Sequence, residues 1–383
     1  MSFAIRNHYV PQWYQRRFLP PGQSKLWYLD LKPEVIRRPN GSTTTRKAIR
    51  HLGPANCFQQ DHLYTLYFGK YATDIMEKQF FGALDAAGEK AVAFFADYGM
   101  REGVHAAFQG LIDYLSAQLF RTPKGLEMLR DLARSKDHQQ TLHALQVAGP
   151  IYYTIWMESM WAVKHCKDSK TKFIIGDSPV TTYNRQVFPG SAEAMKSGMA
   201  HIERIGTQTL FPLDSEHCLI ITNLQYVRNP KVNPLNIREN PRYYAPAHFD
   251  LRKVQRGHAF EEQEVVAINH ILKCHAKRYI AASNPEWLYP ERALTERNWP
   301  KLGGHRFALQ PDPRLVSFTT ATISGGPKGS WGYNEYGHFD LDGPKATALR
   351  KVEWKTFEAA KQAWDERDRR AGREPSKEWL DYM

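Results

Sequence analysis

The segment RNHYVPQWYQRRF (residues 6–18) threads His8, Gln12, Arg16 and Arg17 through Tyr9, Trp13, Tyr14 and Phe18. An imidazole moves protons, a carboxamide orients a ligand and guanidinium groups clamp anions, while aromatic rings fasten a segment to a core. Pro11 suits the first turn of a helix, so residues 11–18 are predicted as about two turns. Gln12 and Arg16 are four residues apart and share one side of that helix; Val10, Tyr14 and Phe18 share another. The expectation is that His8, Gln12 and Arg16 face inward as one wall of a pocket.

Other chemistry-bearing patterns are weaker. His270 and Cys274 have the i, i+4 spacing of a helical metal pair, with no second ligand cluster beside them. GGPKGSWG has the glycines of a phosphate loop without the GxxxxGK[ST] order, so a flexible surface loop is expected there. HFDLDG (338–343) reads as a turn. GxGxxG is absent as well, no metal motif such as HExxH is present, and without a Gly-x-Ser-x-Gly elbow acyl transfer is not expected.

The elements that must position these residues follow from composition and periodicity. Hydrophobic residues make up 42% of the 383, with 10 Trp, 19 Tyr and 19 Phe, enough for a sizeable core. No apolar run reaches the roughly 20 residues of a membrane span, and the four cysteines (57, 166, 218, 274) form no CxxC pair. With no signal-peptide pattern, a cytoplasmic location without membrane association is expected. Net charge is +12, and residues 1–60 carry ten Lys or Arg against only Asp30 and Glu34. Such a region attracts polyanions, so nucleic acid is the expected partner.

KLWYLDL (25–31) alternates like a strand, and RRPNGSTTTRK (37–47) reads as a polar loop. From about 70 to 165 the pattern is helical. Glu77, Phe81, Leu84, Gly88, Val92 and Phe95 mark one helix face, Leu111, Tyr114, Gln118 and Arg121 a second, ending near Pro123. Leu142, Leu145, Gly149, Tyr152, Trp156, Ser159 and Val163 mark a third. Beyond 170, KFIIGDSPV, TQTLFPLD and HCLIITNL read as strands, the last two as a hairpin, and residues 260–283 as a helix followed by a strand. A further strand (LVSFTTATI) and a charged helix with Trp354, Phe357, Ala360 and Trp364 inward are expected near the C-terminus. The fold class expected is α+β: an N-terminal helix and helical lobe packed against a mostly antiparallel sheet, with a C-terminal extension. The expected division is a core over 1–290 (helical lobe about 70–165, sheet region about 170–283) and an extension over 291–383.

HYVPQWYQRRF resembles the HYVPQxYLRxF opening of the bacterial domain of unknown function 4238 family. EKQFF, QLFRTP, IIGDSPV, LFPLD and INHILKCHAKRYIAAS follow in the same order, so the resemblance covers about residues 6–283. The chain departs from the family at Gln15, where Leu is usual, and at Ile175-Gly176, where Thr-Ser precedes the turn Asp. What the resemblance implies is a set of matching polar positions: His8, Gln12, Arg16, Glu77, Arg121, Asp177 and Asn269.

Two readings fit that set. In one it is a structural network, with Glu77 pairing Arg121 while His8 and Gln12 satisfy backbone groups. In the other it is a phosphodiester-type site, with His8, Gln12, Glu77 and Asp177 as catalytic residues and Arg16, Arg121 and Asn269 binding substrate. Arg37, Arg38, Arg46 and Lys47 would then deliver the nucleic acid, and a divalent metal (Mg or Mn) is a possible cofactor whose ligands the sequence leaves unknown. The functional expectation is a nucleic-acid-directed, nuclease-like hydrolase, such as a bacterial toxin or antiviral defence effector. The alternative is a non-catalytic nucleic-acid-binding or sensor protein.

Overall fold

A computed structural model describes residues 5–302, apart from 39, 135–136, 198–199, 230, 240 and 244–248, together with scattered residues beyond 302. The chain is α+β, with mostly antiparallel sheets. It opens with β1 (Arg6–His8), then α1 (Gln12–Arg16), then β2 (Leu26–Asp30). The segment predicted as a polar loop is instead a hairpin of β3 (Val35–Arg37) and β4 (Thr43–Thr45). Its reversal is local: Asn40 accepts from the Ser42 N–H at 3.1 Å, and Gly41 adopts φ +80°, which only glycine takes without strain. Next come β5 (Ile49–Leu52), β6 (Gln59–Asp61), which pairs with β1, and the hairpin β7 (Leu66–Phe68) and β8 (Tyr71–Thr73).

The helical lobe begins with a π-helical stretch over Met76–Phe81 that runs into α2 (Gly82–Ala96). Glu77 therefore sits on this wider turn rather than on a regular α-helix. Helix α3 (Val104–Arg121) crosses α2 so closely that a Cβ at Gly88 would lie 2.5 Å from the Tyr114 ring. It ends at Thr122-Pro123, as predicted, and α4 (Pro123–Ala133) starts at once with Thr122 as its cap. At this elbow a Cβ on Gly125 would meet the Leu119 carbonyl at 2.2 Å, so a side chain there would force the helices apart. Helix α5 (His138–Ala148) follows.

The third predicted helix is not continuous. After α5 the chain makes a 3₁₀ turn at Gly149-Pro150, a short α6 (Tyr153–Met157), and then β9 (Ser159–His165). Ser159 and Val163, assigned to a helical stripe, belong to this strand. A run buried on both faces carries no period-2 signal, so periodicity alone does not separate it from a helix.

The remaining strands complete two sheets. Strands β10 (Ile175–Gly176) and β11 (Thr181–Tyr183), helix α7 (Ala192–Ser197), the hairpin β12 (Gln208–Pro212) and β13 (His217–Asn223), and helix α8 (Leu224–Arg228) lead to β14 (Gln255–Ala259), α9 (Glu262–His275) and β15 (Tyr279–Ala282). One sheet has the order β11-β12-β13-β9-β14, antiparallel except for β14 alongside β9. The other has the order β10-β15-β2-β5, antiparallel throughout. Rings from the opening segment, the helical lobe and both sheets share one core: Tyr14 stacks on Phe211 at 5.3 Å, and Trp13 packs on Tyr114 at 5.2 Å.

Residues 291–302, placed with the C-terminal extension on sequence, join that core: Leu294 and Leu302 are buried in it, and Tyr183 donates to the Leu302 carbonyl at 3.0 Å. The glycine-rich GGPKGSWG stretch, expected as a loop, contains the ladder of β16 (Ser324–Gly326) with β17 (Gly329–Trp331). The LVSFTTATI strand and the Trp354, Phe357, Ala360, Trp364 stripe lie outside the described residues.

Candidate functional site

The opening segment is inserted as predicted, but different residues point inward. Strand alternation on β1 buries Asn7 and leaves His8 half-exposed, with its Nε2 3.3 Å from the Ala55 carbonyl. Burial lowers the His8 pKa, so its ring is neutral at pH 7. Helix α1 has only five residues and buries Trp13, Tyr14 and Gln15. Gln15 is wholly enclosed and donates to the Val10 carbonyl at 2.8 Å. Gln12 is half-buried, and Arg16 is exposed. The inward pairing of Gln12 with Arg16 is thus overturned: the buried amide is Gln15. The guanidinium that reaches the core is that of Arg17, bonded to the Leu213 carbonyl at 2.8 Å and to Asp214 at 3.2 Å.

Glu77 and Arg121 do come together, though not as partners. Arg121 is 1% exposed; it donates to Asp85 at 2.9 Å and to Gln118 at 2.7 Å, and lies over the rings of Phe81 and Tyr114. Its Nη2 is buried without a hydrogen-bond partner, and so is Oε2 of Glu77. Burial pushes the Glu77 carboxyl up to about 7, against the pull of Arg121 and a hydrogen bond from Asn7, and the Asp85 charge adds to the rise. Burial also raises Asp85, opposed by Arg121. The Tyr64 hydroxyl donates to the Arg121 carbonyl at 2.6 Å, and Gln118 reaches the Tyr9 carbonyl at 2.8 Å, which ties β1 to this cluster. Asp85 escaped the sequence reading, although Glu77, Phe81 and Asp85 recur at steps of four.

Asp177 and Asn269 have other work. Both oxygens of Asp177 accept backbone N–H groups: Lys277 at 2.8 Å, Arg278 at 2.6 Å and Tyr279 at 2.8 Å. It clamps the connection from α9 into β15. Burial raises its pKa, while these bonds and the Lys124 charge oppose the rise. Asn269 accepts from the Ile174 N–H at 3.2 Å and donates to the Lys172 carbonyl at 2.9 Å, so it binds α9 to the segment before β10. The polar atoms of Asp177 and Asn269, expected to serve catalysis and substrate binding, are taken up here by backbone groups.

The basic cluster lies on the β3–β4 hairpin. Arg37, Arg38, Arg46 and Lys47 are all exposed, and only Arg46 is paired, with Glu34 at 3.4 Å, among the described residues. Next to it, Arg278 bridges Asp30 at 2.9 Å and Glu34 at 3.5 Å and covers the half-exposed Tyr279 ring at 5.0 Å.

Among the described residues no group of three or more His, Cys, Asp or Glu is placed to hold a metal ion, and none of their helices is long and apolar enough to cross a membrane. His270 and Cys274 lie 3.8 Å apart (Nε2 to Sγ) without a third ligand. Burial pushes the Cys274 thiol up to about 11, away from thiolate chemistry. No family model matches the chain, and neither the curated proteins nor the solved structures contain a match to it.

Proposed function

We propose that this chain is a nucleic-acid-directed protein that docks on the phosphate backbone through the β3–β4 hairpin. The observation that carries the reading is the exposure of Arg37 at the end of β3, Arg38 in the turn after it, and Arg46 and Lys47 just beyond β4, with Glu34 as the paired acid. Guanidinium and ammonium groups in water release counterions on meeting phosphates. The family proposed for the chain is that of domain of unknown function 4238, on its opening motif.

The test is fluorescence anisotropy with single-stranded RNA, single-stranded DNA and duplex DNA at several salt concentrations. Replacing the four basic residues by Ala leaves Tm within about 1 °C, since all four are exposed, and lowers the log–log salt slope by about 3. Unchanged binding in the quadruple variant overturns the reading.

One observation favours hydrolysis as a second reading: Glu77 presents a buried, unpartnered carboxyl oxygen near neutral pKa beside the unpartnered Nη2 of Arg121. That is a general acid–base group next to a fixed cation. Cleavage of the same substrates with Mg²⁺, Mn²⁺ or EDTA, lost in Glu77→Gln at unchanged affinity, supports an effector nuclease; no cleavage under any condition leaves binding as the function.

A further inference from the structure

Two adjoining hollows lie between the start of α4, the turn after β10, the end of α9 and the segment 187–195. The outer one is an open vestibule of about 280 Å³ whose walls include Val187, Phe188, Pro189 and Met195. The inner one is a recess of about 20 Å³, room for one water, bordered by Thr122, Gly125, Ser178 and Thr182. Lys124 and His275 line both. None of these residues belongs to the hairpin or to the Glu77 cluster.

The charged group lining both hollows is Lys124, on which the Asp177 and Glu127 carboxyls also act. The Lys124 ammonium gives one hydrogen bond, to the His275 carbonyl at 2.7 Å, and keeps two N–H groups to give. Thr182 is 4% exposed and its hydroxyl is buried without a partner; so is the hydroxyl of Ser178. Buried hydroxyls left unpaired are uncommon in a settled interior. The N-terminal end of the 11-residue helix α4 adds partial positive charge to the same wall. His275 donates through Nδ1 to the Ile271 carbonyl at 3.0 Å, so the neutral ring keeps Nε2 as an acceptor. Burial holds its pKa down at about 3, so it adds no second positive charge.

We infer that this cleft binds a phosphate monoester with an apolar or aromatic body, the chemical class of a nucleoside monophosphate. The phosphate oxygens take the free N–H groups of Lys124, and the body lies along Phe188, Pro189 and Met195. A cation with two N–H groups to give suits a phosphate, while the apolar outer wall favours an attached ring over the bare ion.

The experiment is calorimetric titration of the full chain with adenosine 5′-monophosphate, inorganic phosphate and adenosine. Adenosine 5′-monophosphate is expected to bind saturably and more tightly than inorganic phosphate, with adenosine weakest. Lys124→Met is expected to weaken it about tenfold. Because Lys124 also holds the His275 carbonyl, Met195 provides the fold-neutral check: it is 76% exposed at the rim. Met195→Glu weakens the phosphate ligand about threefold and Met195→Lys strengthens it by a similar factor. No saturable binding up to about 10 mM overturns the proposal. So does an affinity indifferent to both charges at 195, or inorganic phosphate binding as tightly as the nucleotide.

Discussion

Arg121 donates to Asp85 at 2.9 Å from an almost fully buried position, while Glu77, the acid that sequence pairs with it, keeps an oxygen without a partner. The two carboxyls divide the labour. Asp85 neutralises the guanidinium, and Glu77 is left in a site where burial favours its neutral form.

That division has a pH signature. A carboxyl whose pKa rises from 4.5 to about 7 on folding adds stability that is complete below pH 4.5 and is lost as pH climbs through 7. Glu77→Gln should therefore leave stability near pH 4 almost unchanged and raise it at pH 8 by about 1–3 kcal/mol. Urea unfolding at the two pH values reads this directly. Equal effects at both would mean that Glu77 is not held neutral.

Asp85→Asn leaves the buried Arg121 charge without its counter-ion and should destabilise the fold by about 2–4 kcal/mol. Asp85 itself retains some solvent contact, which places the loss at the lower end for a buried pair. Thermal unfolding of the single variant checks it, and a shift below about 1 °C would show that Arg121 has another neutralising partner.

Asp177→Asn should act on stability. An amide offers one oxygen where three backbone N–H groups converge, and it turns a donor towards at least one of them. A loss of about 2–4 kcal/mol is expected, read by urea unfolding. A variant with native Tm and abolished binding or cleavage would restore Asp177 to the functional site.

His258 tests the acid limb. Burial, with Lys164 and His165 nearby, pushes its pKa from 6.5 down to about 4. Its contribution is full above pH 6.5 and is lost as pH falls towards 4, the reverse of Glu77. His258→Gln should flatten the stability profile between those values, and an unaltered acid limb would locate the sensitivity elsewhere.

Where the sequence carried a strong local signal, the structure follows it. The hairpin expected over TQTLFPLD and HCLIITNL is β12 and β13, Pro123 ends α3, and the helix then strand expected over 260–283 are α9 and β15. The β3–β4 hairpin also had its signal, Asn40-Gly41 between two short extended runs, but the surrounding charge made it read as a loop. The site was harder because residue types do not reveal their partners. An aspartate that takes three backbone N–H groups looks like one that takes a proton. Four-residue spacing also means little in the five residues of α1, where tertiary contacts chose Gln15 and Arg17 over Gln12 and Arg16.

Strand β2 lies between β5, which follows it closely in the chain, and β15, whose Ala282 is the register partner of Trp27. On the ribosome, then, one edge of β2 waits for nearly the whole described chain before its partner emerges. A nascent protein with that edge open is a target for pairing with another copy. Truncation before residue 279 should yield aggregates rather than a smaller folded product.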